Sequence, residues 1–217
     1  MFRKGSLIRE FPVLIAVALA VSLLIKTFLV QFFYIPSGSM ENTLQINDRV
    51  AVNKIPFISK SIHRGDVVVF RDPDNWLPTM SDTTSNKYLR FVREGLVTVG
   101  VLPNPAKQYL VKRVIGVAGD NVKCCSKDGK LIINGQAVDE PYIFAGNKPS
   151  DTEFNVTVPE GKIWVMGDHR NASADSRYHM QDINNGFVPV SKVSGRVVAV
   201  IWPWKNASFI HSISVLK

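Results

Sequence analysis

Residues 109–134 read YLVKRVIGVAGDNVKCCSKDGKLIIN, and the fold class turns on them. Three short runs, Tyr109–Val117, Asn121–Cys124 and Lys130–Asn134, carry Val and Ile and are parted by Gly, Asp and Asn. Such runs form strands, because β-branched side chains lose rotamer freedom in a helix and pack well on a pleated surface. Ser126-Lys127-Asp128-Gly129 has turn chemistry, so residues 121–134 are expected to form a hairpin, and Asn134-Gly135 marks a second turn.

Working outward, Arg49–Asn53, Asp66–Phe70, Lys162–Met166 and Gly195–Trp202 have the same character. Residues 71–107 differ. They open with RDPDNWLP, pass through SDTTSN, and then read KYLRFVREGLVTVGVLP, whose apolar spacing from Tyr88 to Val99 predicts a short helix ended by Gly100 and Pro103. The class is all-β or β-rich, with one helix on this excursion and one helix before the strands.

That first helix comes from FPVLIAVALAVSLLI at Phe11–Ile25, followed after Lys26 by TFLVQFFYI. Phe11–Ile35 is long enough as a helix, roughly 37 Å, to cross a bilayer with tilt. Lys26 is the one serious cost and is expected to snorkel towards the exit. No small-x-small cleavage site follows cleanly, so the segment is read as an uncleaved anchor over residues 10–35. Arg3, Lys4 and Arg9 then hold a tail of residues 1–9 inside, and the body, residues 36–217, lies outside the cytoplasmic membrane.

The chain of 217 residues has 26 basic and 18 acidic side chains. Beyond Pro36 there remain 22 basic against 17 acidic residues, scattered without a Lys/Arg run or a helix-turn-helix pattern. This argues against nucleic acid as a partner and suits anionic lipid headgroups. The adjacent Cys124 and Cys125 are read as structural thiols, since neighbours reach ordinary disulfide geometry with difficulty. No His or Cys stands at zinc-ligand spacing nearby, so neither a metal nor a cofactor is expected.

Three stretches carry candidate chemistry. Pro36-Ser37-Gly38-Ser39-Met40 follows the anchor at once, and Gly38 permits a bend that exposes a hydroxyl. Lys112 lies in a strand, where a lysine is either on a solvated face or buried as a neutral base. Gly167–Arg177, GDHRNASADSR, is a dense polar loop after a strand, with a hydroxyl at Ser173 and a possible Asp175–Arg177 pair. Each alone also reads as an ordinary loop or surface feature.

Taken in order, PSGSM with Thr43-Leu44, GDVVVF at Gly65–Phe70, KRVIGVAGD at Lys112–Asp120 and GDHRNASADSR resemble the successive motif boxes of bacterial type I signal peptidases. The resemblance runs from the anchor to about Pro203. It implies an antiparallel β-sheet protease domain over residues 36–217, with a small β-hairpin subdomain at 118–163. It implies Ser39 as nucleophile, Lys112 as general base and Ser173 as the hydroxyl that orients the lysine. It also implies an oxyanion hole from Ser37 and the Ser39 N–H, and shallow pockets shaped by Ile35, Met40, Leu44 and Val111. Arg113 with Asp168, and Asp175 with Arg177, would brace the loop. The partners implied are membrane lipid and the signal peptides of exported preproteins, cut after small residues of the Ala-x-Ala type. Asn42 departs from a usual proline, and His169 from a usual asparagine.

Two rivals remain open on sequence. Self-cleaving repressors share serine–lysine chemistry but carry a DNA-binding domain where this chain has an anchor. A tethered, non-catalytic binding module would leave Ser39 and Lys112 far apart.

Overall fold

A computed structural model describes residues 7–54, 61–78 and 108–213. The helix expected at Tyr88–Val99 lies outside these residues. The described chain begins with α1 (Leu7–Phe28), followed by β1 (Val30–Tyr34), β2 (Arg49–Asn53), β3 (Val67–Arg71) and β4 (Tyr109–Gly116). Then come β5 (Asn121–Cys124), β6 (Ile132–Ile133), β7 (Gln136–Ala137), β8 (Phe154–Thr157) and β9 (Lys162–Met166). Last are β10 (Val188–Pro189), β11 (Val193–Trp202) and β12 (Ser208–Phe209).

The larger sheet runs β1-β2-β11-β3-β4-β9-β10, with β12 paired to β11; the smaller runs β7-β6-β5-β8. Among the described residues every pairing is antiparallel. The fold is therefore mainly β.

β3, the run VVVFR, is paired on both edges and buried along four of its five residues. Its period-2 alternation feeds two cores. Val67 and Val69 join Ile35, Met40, Leu44, Val50, Val52, Val197 and Val200, while Val68 and Phe70 join Trp76, Leu110, Val114, Ile163 and Val165. A third core lies between the small sheet and β9, with Trp164 packed on Phe154 and Phe187. In the small sheet β5 pairs with β6 through Val122↔Ile133 and Lys123↔Ile132. Asn134 and Gly135, at φ 52° and 82°, turn β6 into β7, a conformation those two residues accept at little cost.

The apolar segment read as one span over residues 10–35 divides instead. α1 ends at Phe28, and Val30–Tyr34 is a strand in unbroken register with β2, from Val30↔Asn53 to Tyr34↔Arg49. The reason is local: Val, Phe and Tyr suit a half-buried strand, and β2 satisfies the backbone groups. Phe32 and Tyr34 face outward, while the Phe33 ring meets Tyr109 edge-on at 5.1 Å. Along α1, Phe11, Val13, Leu14, Ile15, Val17, Leu19 and Val21 are exposed. Among the described residues no helix is long and apolar enough to cross a membrane. Cys124 and Cys125, read as thiols, are joined to each other in a disulfide across a cis peptide bond.

Candidate active site

The turn after β1 presents the first hydroxyl. Ile35 is held by N–H donation to the Asp48 carbonyl, 2.9 Å, and Leu44 by donation to the Met40 carbonyl, 2.8 Å. These bonds sink Ile35, Met40 and Leu44 into one apolar cluster, with Val111 packed against it, and leave Ser39 at its rim. Ser37 is exposed. Asn42 sits at φ 85°, a left-handed value that asparagine tolerates and proline cannot adopt, and its amide donates to the Tyr142 carbonyl at 3.1 Å. The departure from proline is thus matched to the backbone of this turn.

β4 supplies the amine. Lys112 Nζ lies 2.6 Å from Ser39 Oγ, although 73 residues separate them in the chain, and only 4% of Lys112 is exposed. Burial lowers its pKa from 10.5 to about 8; Asp175 and Asp168 pull the other way and Arg177 assists. Desolvation wins because both acids are already engaged by arginines. Arg113 forks onto Asp168, with Nε to Oδ1 at 2.8 Å and Nη2 to Oδ2 at 2.6 Å. Arg177 engages Asp175 in the same way, at 2.8 and 2.9 Å.

Asp175 also organises the loop after β9. It accepts from the Gly167 N–H at 2.9 Å and from Ser173 Oγ at 2.7 Å. The resemblance implies that Ser173 orients the lysine; in the structure its hydroxyl donates to Asp175, and the lysine amine lies in hydrogen-bond contact with Ser39. A buried carboxylate is a strong acceptor, and it receives the hydrogen bond of the hydroxyl. Gly167 is confined here, since a Cβ would strike the Ser173 side chain and the Ser39 carbonyl.

The reading of the sequence missed Glu140 and Tyr142, and it quoted Thr43 and Arg170 within motifs without giving them a role. Thr43 bridges Asp168 and Arg113, at 2.5 and 3.0 Å. Arg170 reaches Glu140 at 2.6 Å, with Tyr142 lying over Arg113 at 4.2 Å from its ring centroid. Burial raises the Tyr142 pKa well above its ordinary value. Glu140 and Tyr142 stand about thirty positions before the loop they brace, with no local pattern to mark them. Among the described residues no group of His, Cys, Asp and Glu could hold a metal ion.

A mainly antiparallel β fold that sets a serine hydroxyl against a buried amine of lowered basicity is a serine-peptidase type of arrangement. The family model "Signal peptidase, peptidase S26" matches residues 8–202, and the chain belongs to this family, the type I signal peptidases. It is 38% identical to the probable signal peptidase I of Mycobacterium leprae (strain TN), over 97% of this chain and 82% of that protein. Identity is also 38% to signal peptidase I of Mycobacterium tuberculosis (strain ATCC 25618 / H37Rv), over 97% and 78%. A crystal structure of a signal peptidase I from Enterococcus faecalis V583 aligns at 25% identity with a TM-score of 0.38, covering 63% of this chain and 96% of that one.

Proposed function

We propose that this protein is a membrane-held endopeptidase that cuts signal peptides from exported preproteins after small residues, with Ser39 as nucleophile and Lys112 as general base. The observation that carries the reading is the 2.6 Å approach of Lys112 Nζ to Ser39 Oγ. It is bonding distance between a hydroxyl and an amine whose pKa of about 8 leaves part of it neutral near pH 7. A tethered binding module has no use for such a pair.

In the proposed cycle Ser39 Oγ attacks the scissile carbonyl carbon as Lys112 Nζ takes its proton. The oxyanion is met by the Ser39 N–H and the Ser37 hydroxyl. Collapse breaks the C–N bond, and the Lys112 ammonium returns the proton to the leaving amine. Water then attacks the acyl carbon as the same amine takes its proton, the bond to Ser39 Oγ breaks, and the ammonium returns that proton to Oγ. Asp168 and Asp175, each forked by its arginine, hold the loop in shape. Ser173 supports the lysine at one remove, by fixing Asp175.

Substrate binding follows from strand geometry. β9 pairs with β4 only from Arg113 onward, so residues 109–112 have no strand on that side among the described residues. An extended peptide laid there adds a strand and places alternate side chains on the floor made by Ile35, Met40, Leu44 and Val111. The buried floor favours small side chains such as Ala. The exposed apolar residues of α1 are the kind of surface that lipid covers, and they support membrane attachment with Arg3, Lys4 and Arg9 inside. The test is incubation of the purified protein with an exported preprotein and mapping of the cut by mass spectrometry. A single cut after a small residue, lost in Ser39→Ala and Lys112→Ala, is expected; cleavage retained in either variant refutes the assignment.

A further inference from the structure

Three ion pairs beside the nucleophile are shut away from any substrate. Arg113–Asp168, Arg170–Glu140 and Arg177–Asp175 have side chains no more than 3% exposed. The pair His169–Glu41 differs. Nδ1 meets Oε2 at 3.0 Å, with the two side chains 20% and 25% exposed. The other carboxylate oxygen, Oε1, has no hydrogen-bond partner among the described residues.

This pair belongs to the turn that carries Ser39. The His169 N–H donates to the Ser39 carbonyl at 3.2 Å. The Glu41 carboxylate rests on Gly38, so closely that a Cβ there would lie 2.8 Å from the carboxyl carbon. The His169 ring stacks on Phe144, centroids 4.1 Å apart and 13° from parallel. The Phe144 N–H donates to the Asp168 carbonyl at 3.0 Å, which seats the aromatic beside the loop. Beyond Phe144 opens a cleft of about 370 Å³, whose lining includes Lys130, Ile143 and Asn147.

The apolar floor at Ile35, in the turn after β1, and Val111, in β4, comes just before the two reacting residues in sequence. Glu41, His169 and Phe144 stand past the nucleophile, on the loop side. A chain that lies along residues 109–112 and crosses Ser39 therefore leaves over this rim. Resting on the function proposed above, we propose that Glu41, His169 and Phe144 form the subsite for the first residues of the mature chain, and that Glu41 selects there for basic and against acidic side chains. The carboxylate offers a lysine or arginine a charge-assisted acceptor, and the flat Phe144–His169 stack receives its aliphatic stem. An aspartate at the same place meets a like charge that water only partly screens.

The test uses the full chain in detergent and two preproteins that share one signal peptide and differ only at the second mature residue, Lys or Asp. Wild type should favour Lys in kcat/KM by about fivefold, the scale of a partly exposed ion pair. The preference should shrink towards unity in about 1 M salt. Glu41→Gln should bring the ratio within about twofold, since only the charge term is removed. The ratio cancels general damage to the variant, and the salt response of wild type needs no variant. Equal cleavage of both substrates by wild type, a preference indifferent to salt, or an unchanged ratio in Glu41→Gln overturns this subsite alone. Cleavage of neither substrate overturns the proposed function beneath it.

Discussion

Replacing Lys112 by arginine, with both proteins followed through a pH series, tests the proposed base most directly. Only the neutral amine can take the Ser39 proton. With a pKa of about 8, about one molecule in ten is competent near pH 7 and about nine in ten near pH 9. The sign follows: activity rises with pH, and kcat/KM should climb about tenfold between about pH 7 and 9 and then level off. Arginine keeps the charge and most of the length but stays protonated throughout this range. Lys112→Arg should be as inactive as Lys112→Ala. The assay is cleavage of a signal-peptide substrate without groups titrating in the window, at low substrate concentration so that the profile reports the free enzyme. A flat or falling profile, or substantial activity in Lys112→Arg at any pH, would mean that Lys112 acts as a fixed charge and that the mechanism is wrong.

The same lysine should be costly to the fold. Its folded pKa lies below its unfolded one, so the unfolded chain binds the extra proton, and stability falls as pH drops from 10.5 to about 8. The full cost below that window is about 3 kcal/mol; allowing about 1 kcal/mol for the lost hydrogen bond, Lys112→Met should gain about 2 kcal/mol near pH 7. Urea unfolding near pH 7 and above pH 10 checks this, and a destabilised Lys112→Met near pH 7 contradicts it. Arg113→Ala should lose about 3–5 kcal/mol, because it strands Asp168 as a buried charge; a loss under 1 kcal/mol in the same assay would mean that Asp168 is otherwise satisfied. Phe placed immediately before the cut should depress kcat/KM far more than Phe one residue earlier, where an extended peptide points its side chain away, and equal losses would count against a strand-like substrate.

How far the fold was legible varied with local chemistry. β2, β5 and β9 begin and end where the sequence places them, because Val- and Ile-rich runs there are bounded by polar or turn residues. β1 was hidden, since Val30–Tyr34 continues the apolar run of α1 and nothing within it announces the change of period. β7, β10 and β12 have two residues each, too few for any periodicity to register. At the site, Ser39 and Lys112 were individually ambiguous, and only the ordered motifs suggested that they act together. The Ser173–Asp175 bond was not foreseen, because a hydroxyl two residues from a carboxylate can point elsewhere and burial decides. Glu140 and Tyr142, and the bridging contacts of Thr43, became visible only when the sheets brought distant segments together.

Between Phe28, where α1 ends, and Val30, where β1 begins, stands the single residue Leu29, whose carbonyl accepts from the Lys54 N–H at 2.9 Å. That joint has no slack. The turn that carries Ser39 hangs from the far end of a strand that is spliced to the helix at one end and laced to β2 along its length. Rocking of the helix is therefore either carried into the sheet as a lever carries load or absorbed by rotation about one residue. A flexible insertion after Leu29 would uncouple the two bodies, and the height and heading of the serine would then be set by the globular part alone.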